Sequence, residues 1–226
     1  MMHGFGAGTW RWVTDPHAVM WCVTFTRGVT PAEVLRGYGA DPGTAQMLSF
    51  EEAQGLYPPG DGSVLRAGAL DGWAFCYEDI GVMGAMPGPL SVLSWGTETL
   101  SVLRGGDGMN GFSWWYDGQQ VESFEPGFVH TRPRSPSTFW DAVQARIDAA
   151  GDHHVGLRPT LEVVAGYIGA VLDTATLRGR LLTVRLDEAD RAPDPERNVR
   201  SVSGGPSARL GRFLGTLDPG PGEERH

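Results

Sequence analysis

Six short apolar segments, closely spaced and separated by glycine-rich turns, most strongly constrain the fold of this chain. They lie between residues 63 and 125, where the pattern is typical of short strands bounded by turn residues. The dipeptides Asp71-Gly72 and Asp117-Gly118 favour two-residue hairpin turns, because glycine accepts a positive φ at low cost. Such strands and turns together predict an antiparallel meander. The six segments are SVLRAGAL, GWAFCYED, LSVLSWG, TLSVLRG, GFSWWYDG and QQVESFE.

Capping signals predict short helices ahead of these strands. Thr30 and Glu33 have the spacing of a capping box, and Pro31 between them suits the first helical position. Ser49 and Glu52 repeat the same spacing further along the chain. We therefore expect one short helix to begin after Thr30 and a smaller one to begin after Ser49.

Two longer helices and one further segment are predicted after the strands. Residues 137–151 and 158–173 repeat apolar residues at helical spacing, with Ser137 as the cap of the first helix. Residues 179–186 are expected to form a last strand or a docking segment. We therefore predict an α+β fold: an antiparallel meander sheet of about six strands, a short preceding helix, and two C-terminal helices packed on one face.

A change in composition near Leu186 predicts a single α+β domain at 1–186 and a tail at 187–226. The tail is rich in Pro, Gly, Ser and charge, so it buries too little apolar area to offset its chain entropy, and we expect disorder. Two interpretations stay open for 207–217. Either its apolar residues have helical spacing by accident, or the segment forms a short helix that docks on a partner or on the domain. The candidate docking residues are Leu210, Phe213, Leu214 and Leu217.

Composition argues against several classes of partner. The net charge is −9 and no dense run of Arg occurs, whereas phosphate binding needs clustered cations, so we expect no nucleic acid partner. No apolar run approaches the roughly 18–20 residues of a membrane span, and the N-terminus lacks the pattern of a signal peptide. The expected location is therefore cytoplasmic, with no membrane partner.

No residue pattern predicts catalysis, a metal site or a cofactor. Cys22 and Cys76 each lie inside an apolar run and are expected to be small buried side chains. His153 and His154 are adjacent, but a metal site needs more ligands than the neighbouring Asp152 supplies. The chain contains neither a G-x-S-x-G elbow nor a P-loop signature.

Two adjacent tryptophans in the segment GFSWWYDG raise the question of what lies on each side of that strand. Neighbouring side chains of a strand point to opposite faces, so Phe112, Trp114 and Tyr116 form the natural core face. Trp115 then lies on the other face. Either a loop, the N-terminal TWRW segment or the tail covers it, or it is partly exposed at the centre of a binding patch. The residues that we predict for a contact surface are Trp115, Glu78 and Asp117.

The order of several longer segments resembles a known family. These are CVTFTRGVTPAEVLRGYGAD (22–41), GWAFCYEDIGVMG (72–84) and LSWGTETLSVLRGGDGMNGFSWWYDGQQVESFEP (93–126). Together they resemble a family of uncharacterised actinobacterial proteins, a domain of unknown function, over roughly residues 18–186. The resemblance implies an intracellular α+β domain, similar in architecture to small immunity or partner-binding modules, and it implies no established activity.

The function that we expect is a non-enzymatic intracellular module that binds a protein partner, of an immunity or regulatory type. Negative charge, many aromatic residues and the candidate docking tail favour this expectation. The alternative is a small-molecule-binding protein or an enzyme with a carboxylate-lined pocket between sheet and helices. Glu78 or Glu98 would supply the carboxylate of that pocket.

Overall fold

The computed structural model describes residues 10–13, 18–57, 62–134, 136–150 and 156–186. The chain divides into one unit that spans Met1–Ala192 and another that spans Pro193–His226, and every described residue belongs to the first unit. The prediction of a tail at 187–226 therefore falls outside the described residues. The same holds for the candidate docking residues Leu210, Phe213, Leu214 and Leu217.

Within the described ranges, eight strands form a single sheet in which neighbouring strands run antiparallel, and helices accompany it, so the broad α+β prediction is confirmed. The order across the sheet is β2-β8-β3-β4-β1-β5-β6-β7. The strands are β1 (Trp21–Arg27), β2 (Gln46–Leu48), β3 (Ser63–Leu70), β4 (Trp73–Asp79), β5 (Glu98–Arg104), β6 (Asn110–Tyr116), β7 (Gln119–Phe124) and β8 (Leu181–Leu186).

The sheet is not a meander, because β1 lies between β4 and β5. Six of the seven residues of β1 are buried, and a strand of this kind is best placed where both of its edges and both of its faces are covered. The tight turns themselves are as predicted: Asp71-Gly72 and Asp117-Gly118 have positive φ at both positions and join the hairpins β3–β4 and β6–β7.

One predicted strand is a helix. The segment LSVLSWG falls largely within α3 (Pro87–Leu93), which has proline in its first turn. Leu90 and Leu93 are three residues apart and are both buried, as expected for one face of a helix. The other five of the six predicted segments are strands.

The helices cover both faces of the sheet, which corrects the prediction of two C-terminal helices on one face. On one face, which we call the α4/α5 face, residues of α4 (Trp140–Ala150) and α5 (Leu157–Ile168) pack against β1 side chains such as Val23 and Phe25. On the other, the α1/α3 face, Val34 of α1 (Pro31–Gly37) and Leu93 of α3 pack with Cys76 of β4. The helices are α1 (Pro31–Gly37), α2 (Phe50–Leu56), α3, α4 (Trp140–Ala150), α5 (Leu157–Ile168) and α6 (Thr174–Arg178).

The predicted capping boxes are present. The Thr30 hydroxyl accepts a hydrogen bond from the Glu33 N–H, and the Glu33 carboxylate accepts one from the Thr30 N–H. Ser49 and Glu52 form the same reciprocal pair at the start of α2. These pairs satisfy backbone donors that a helix N-terminus otherwise leaves without partners, so they determine where α1 and α2 begin.

Candidate functional site

Glu78 is fully buried on the α1/α3 face, although the sequence analysis placed it on a contact surface. Its carboxylate accepts hydrogen bonds from the backbone N–H groups of Met83 (3.1 Å) and Gly84 (2.9 Å). A Cβ at Gly81 would lie 1.9 Å from Glu78 Oε1, so glycine is required there for the chain to pass the carboxylate. Glu78 thus holds the turn after β4 against the sheet and does not reach the surface.

Thiol and hydroxyl groups surround this carboxylate. Ser101 Oγ donates to the Gly84 carbonyl at 2.6 Å and lies 3.5 Å from Cys22 Sγ. Tyr38 Oη lies 3.0 Å from Thr24 Oγ1. Burial, and then the charge of Glu78, raises the pKa of the Cys22 thiol far above its ordinary value. A thiol that stays protonated is a poor nucleophile, so the geometry favours a structural role for this cluster.

Glu98 lies at the start of β5, and its carboxylate is held by three donors. Trp114 Nε1 (3.1 Å) and the Tyr167 hydroxyl (2.8 Å) donate to Oε2, and Arg27 Nε lies 3.0 Å from Oε1. Burial, followed by the hydrogen bond to Glu98, raises the pKa of Tyr167 to about 12. Both carboxylate oxygens are therefore engaged in joining β1, β5, β6 and α5.

Glu122 of β7 is a third carboxylate with a structural position. It accepts hydrogen bonds from the backbone N–H groups of Thr138 (3.1 Å), Phe139 (3.2 Å) and Trp140 (2.8 Å). The predicted cap Ser137 also accepts from the Trp140 N–H, at 2.7 Å. Negative charge stabilises a helix N-terminus, so Glu122 anchors the start of α4 to the sheet.

Arg66 of β3 is a buried cation that binds backbone carbonyl groups. Its guanidinium donates to the carbonyls of Leu177, Leu48 (3.1 Å) and Gly179 (2.8 Å). Burial lowers the pKa of Arg66 to about 10, and the nearby negative groups act in the opposite direction. These contacts fasten the ends of β2 and α6 to the sheet, while the buried Nε of Arg66 has no hydrogen-bond partner among the described residues.

The two adjacent tryptophans have different surroundings from those expected. Trp114 packs with the α4/α5 core, but Tyr116 is exposed, because a bulge between Trp114 and Trp115 alters the strand. Trp115 is only 7% exposed, and its indole N–H has no hydrogen-bond partner within the described residues. Trp10 and Trp12 of the TWRW segment do not cover it, since both belong to the α4/α5 core, where Trp12 packs against Trp21 and Tyr77.

A different tryptophan is exposed. Trp95 follows α3, and 77% of its surface is accessible, together with 60% of Val92. A crevice of about 240 Å³ lies between α1 and α3, and Asp117 contacts the turn that carries Trp95. We call this region the Trp95 surface, and it comprises Val29, Glu33, Arg36, Val92, Trp95 and Asp117.

The backbone around Trp95 is held from two sides. Asp117 Oδ1 accepts from the Gly96 N–H at 3.0 Å, and the Asp117 N–H donates to the Thr97 carbonyl at 2.9 Å. Ser94 Oγ accepts from the Gly118 N–H at 3.2 Å. Of the three predicted contact residues, only Asp117 is therefore exposed, and it positions the Trp95 turn.

A second open region lies on the α1/α3 face of β5, β6 and β7. Ser101, Ser113 and Ser123 are directly opposite one another in the strand register and line a cavity of about 420 Å³. Neighbouring strands are about 4.8 Å apart, so the three side chains form a row across the sheet. We call this cavity the serine groove, and we define it by Ser101, Asn110, Ser113, Gln120, Ser123 and Glu125.

Sequence reasoning missed Trp95 because it assigned this residue to a strand. The signals that could have located it are Pro87 and the spacing of Leu90 and Leu93, which favour a helix that ends before Trp95. The serine row carried no comparable signal, because serines are common in strands and turns and their register depends on pairing. Neither Glu78 nor Glu98 lines the serine groove or the crevice beside Trp95.

Within the part of the chain that the structure describes, no group of three or more His, Cys, Asp or Glu side chains could hold a metal ion. No helix among those residues combines the length and the apolar character that crossing a membrane requires.

Residues 7–158, about two thirds of the chain, match a family of unknown function, DUF6461. The chain belongs to this family. No curated protein and no solved structure matches the chain significantly. The match to DUF6461 confirms the resemblance to an uncharacterised domain, but it begins at residue 7 and ends at residue 158, whereas roughly 18–186 was expected. It includes Trp95 and the whole serine groove.

Proposed function

We propose that this DUF6461 protein is a non-enzymatic intracellular module that binds a protein partner through the Trp95 surface. The observation that carries the proposal is an indole side chain that is 77% exposed on a turn held by Asp117. Tryptophan is enriched among the residues that dominate binding energy at protein interfaces. A turn that is already ordered also loses little conformational entropy on binding.

The arrangement around Trp95 has the character of a small interface. Val29 and Val92 line the apolar part of the crevice, whereas Glu33 and Arg36 line its charged part. Interfaces commonly combine an apolar centre with a polar rim. The partner that fits inserts one apolar side chain beside Trp95. A partner of basic character is favoured, because the chain carries a net charge of −9 and opposite charges accelerate encounter.

The state of the reactive groups supports the non-enzymatic part of the proposal. The Cys22 thiol has a raised pKa because of burial, and the carboxylates of Glu78 and Glu98 are occupied by backbone and side-chain donors. Groups engaged in this way are poorly placed for acid–base or nucleophilic chemistry. An immunity or regulatory role, an actinobacterial origin and a cytoplasmic location complete the proposal.

Affinity capture followed by reconstitution tests the Trp95 surface. The full chain, Trp95→Ala and Met109→Ala are used to capture proteins from an extract, and the captured protein is then purified for titration. Met109 is a matched control because it is 63% exposed and lies in the β5–β6 loop, at the other end of those strands from Trp95.

We expect Trp95→Ala to raise the Kd at least about 30-fold, or about 2 kcal/mol, and Met109→Ala to leave it unchanged. Thermal unfolding of each variant shows that the domain is intact. Equal affinity of the parent chain and Trp95→Ala for the purified protein would contradict the proposal.

A further inference from the structure

The serine groove presents polar side chains that the fold itself does not use. Among the described residues, the hydroxyls of Ser113 and Ser123 and the amide of Gln120 make no hydrogen bond, whereas Ser101 is bonded to Gly84. Ser113 is half-buried, where a hydroxyl without a partner is unfavourable, whereas Ser123 and Gln120 are exposed to solvent. The groove therefore offers both donors and acceptors to a molecule that enters it.

Asn110 adds a buried acceptor to the same lining. Its Nδ2 donates to the Gly108 carbonyl at 3.3 Å, but its Oδ1 has no partner within the described residues although the residue is buried. A buried polar atom of this kind costs free energy unless a water molecule or a ligand satisfies it. Asn110 thus adds a polar residue to the lining, and its Oδ1 is itself shielded from solvent.

The charge of the lining is negative. Glu125 is half-buried, and its carboxylate forms neither an ion pair nor a side-chain hydrogen bond with any described residue. None of the described residues that line the groove is Arg, Lys or His. The groove therefore disfavours anions and favours a ligand with one positive charge. Its volume of about 420 Å³ is within the range of roughly 300–1,000 Å³ typical of small-molecule sites.

From these groups we infer that the serine groove binds a small hydroxylated organic amine. The ammonium group of the ligand pairs with the Glu125 carboxylate, and its hydroxyl groups exchange hydrogen bonds with Ser113, Ser123 and Gln120. This inference rests on different residues from the Trp95 surface, so either can fail without the other.

Three probes of matched shape test the inference: glucosamine, glucose and cyclohexylamine. Glucose has a hydroxyl where glucosamine has its ammonium group, and cyclohexylamine keeps a ring and an ammonium group but has no hydroxyls. Each is titrated into the isotope-labelled full chain, and the backbone amide shifts of Ser113 and Ser123 are followed by NMR. We expect glucosamine to shift these amides and to bind at least about tenfold more tightly than either analogue.

Two variants test whether the Glu125 carboxylate recognises the positive charge of the ligand. Glu125→Gln keeps the size of the side chain and removes its charge, and it is expected to abolish the preference for glucosamine over glucose. Asp71→Asn removes the same charge from the β3–β4 turn, which β1, β5 and β6 separate from β7, and should change nothing.

Several outcomes overturn the inference. Equal affinity for glucosamine and glucose removes the role of charge, and equal affinity for glucosamine and cyclohexylamine removes the role of the hydroxyl groups. Shifts confined to amides outside the groove, or no binding of any probe, also refute it. If Glu125→Gln still prefers glucosamine to glucose, another residue recognises the ammonium group, and the site as described is refuted.

Discussion

The two faces of β5, β6 and β7 use alternate residues of the same strands for opposite purposes. On the α4/α5 face, Phe112 packs against Phe124 and Phe139 with ring centroids 4.9 and 4.8 Å apart. On the α1/α3 face, the intervening residues include the row of Ser101, Ser113 and Ser123 beside an open cavity. One face therefore stabilises the fold, and the other leaves polar groups available for a ligand.

Helix length accounts for part of this difference. α1 and α3 have seven residues each and are about 10 Å long, whereas an eight-stranded sheet is about 34 Å wide. Two such helices cover only part of one face. α4 and α5 have 11 and 12 residues, and Leu177 of α6 joins the same core together with Trp10, Trp12 and Val13. The open groove thus follows from how little chain is devoted to the α1/α3 face.

The largest expected effect comes from the apolar side of this comparison. Phe112→Ala should lower the free energy of unfolding by about 3–5 kcal/mol, because it removes a buried ring and leaves a cavity between Phe124 and Phe139. Ser113→Ala, one residue away on the other face, should change it by less than about 0.5 kcal/mol. Urea unfolding of both variants measures the contrast, and similar losses would show that both faces contribute equally to stability.

A somewhat smaller effect is expected at the turn after β4, which Glu78 holds against the α1/α3 face. Glu78→Ala should lower the free energy of unfolding by about 2–4 kcal/mol, since the N–H groups of Met83 and Gly84 lose their charged acceptor. Urea unfolding again provides the measurement, with Asp71→Asn as a control at an exposed turn. A loss below about 0.5 kcal/mol would mean that the turn finds other acceptors, and Glu78 would then not be needed to close this face.

The smallest expected effect concerns the hydrogen bond from the Tyr167 hydroxyl to Glu98, and this effect depends on pH. The pKa of Tyr167 is raised from about 10 to about 12, so its contribution to stability is complete below pH 10 and is lost as the pH rises towards 12. The Tyr167→Phe side chain cannot ionise. The free energies of unfolding of this variant and of the parent chain should therefore differ less at pH 11 than at pH 9. Urea unfolding at both values checks this, and a constant difference would show that the Tyr167 hydroxyl has an ordinary pKa in the folded state.

Much of the local structure could be predicted because its causes are local. The capping boxes at Thr30 and Ser49 and the turn at Asp117-Gly118 each depend on residues within three or four positions of one another. The burial of Cys22 and Cys76 was also predicted correctly, since each lies in an apolar run that forms a central strand. The α3 helix was missed because a short apolar run fits a strand or a helix equally well without its tertiary contacts.

The candidate sites depended on contacts between distant parts of the chain. Trp115 and Trp95 are both tryptophans near a glycine turn, and nothing local distinguishes the buried one from the exposed one. Glu78 changes from a surface candidate to a buried acceptor because the turn at 83–84 folds over it. Asp117, a predicted contact residue, is exposed, and its bond to the Gly96 N–H joins residues that are 21 positions apart.

By itself, the sequence determined the α+β class, the positions of most helices and strands, and the tight hairpins, because hydrophobic period and turn chemistry act over short distances. Only the tertiary structure decided that β1 enters between β4 and β5, that helices cover both faces, and that three serines align beside an open cavity. Strand order and register are set by which edges and faces must be buried together, and that requirement belongs to the whole sheet rather than to any segment of it.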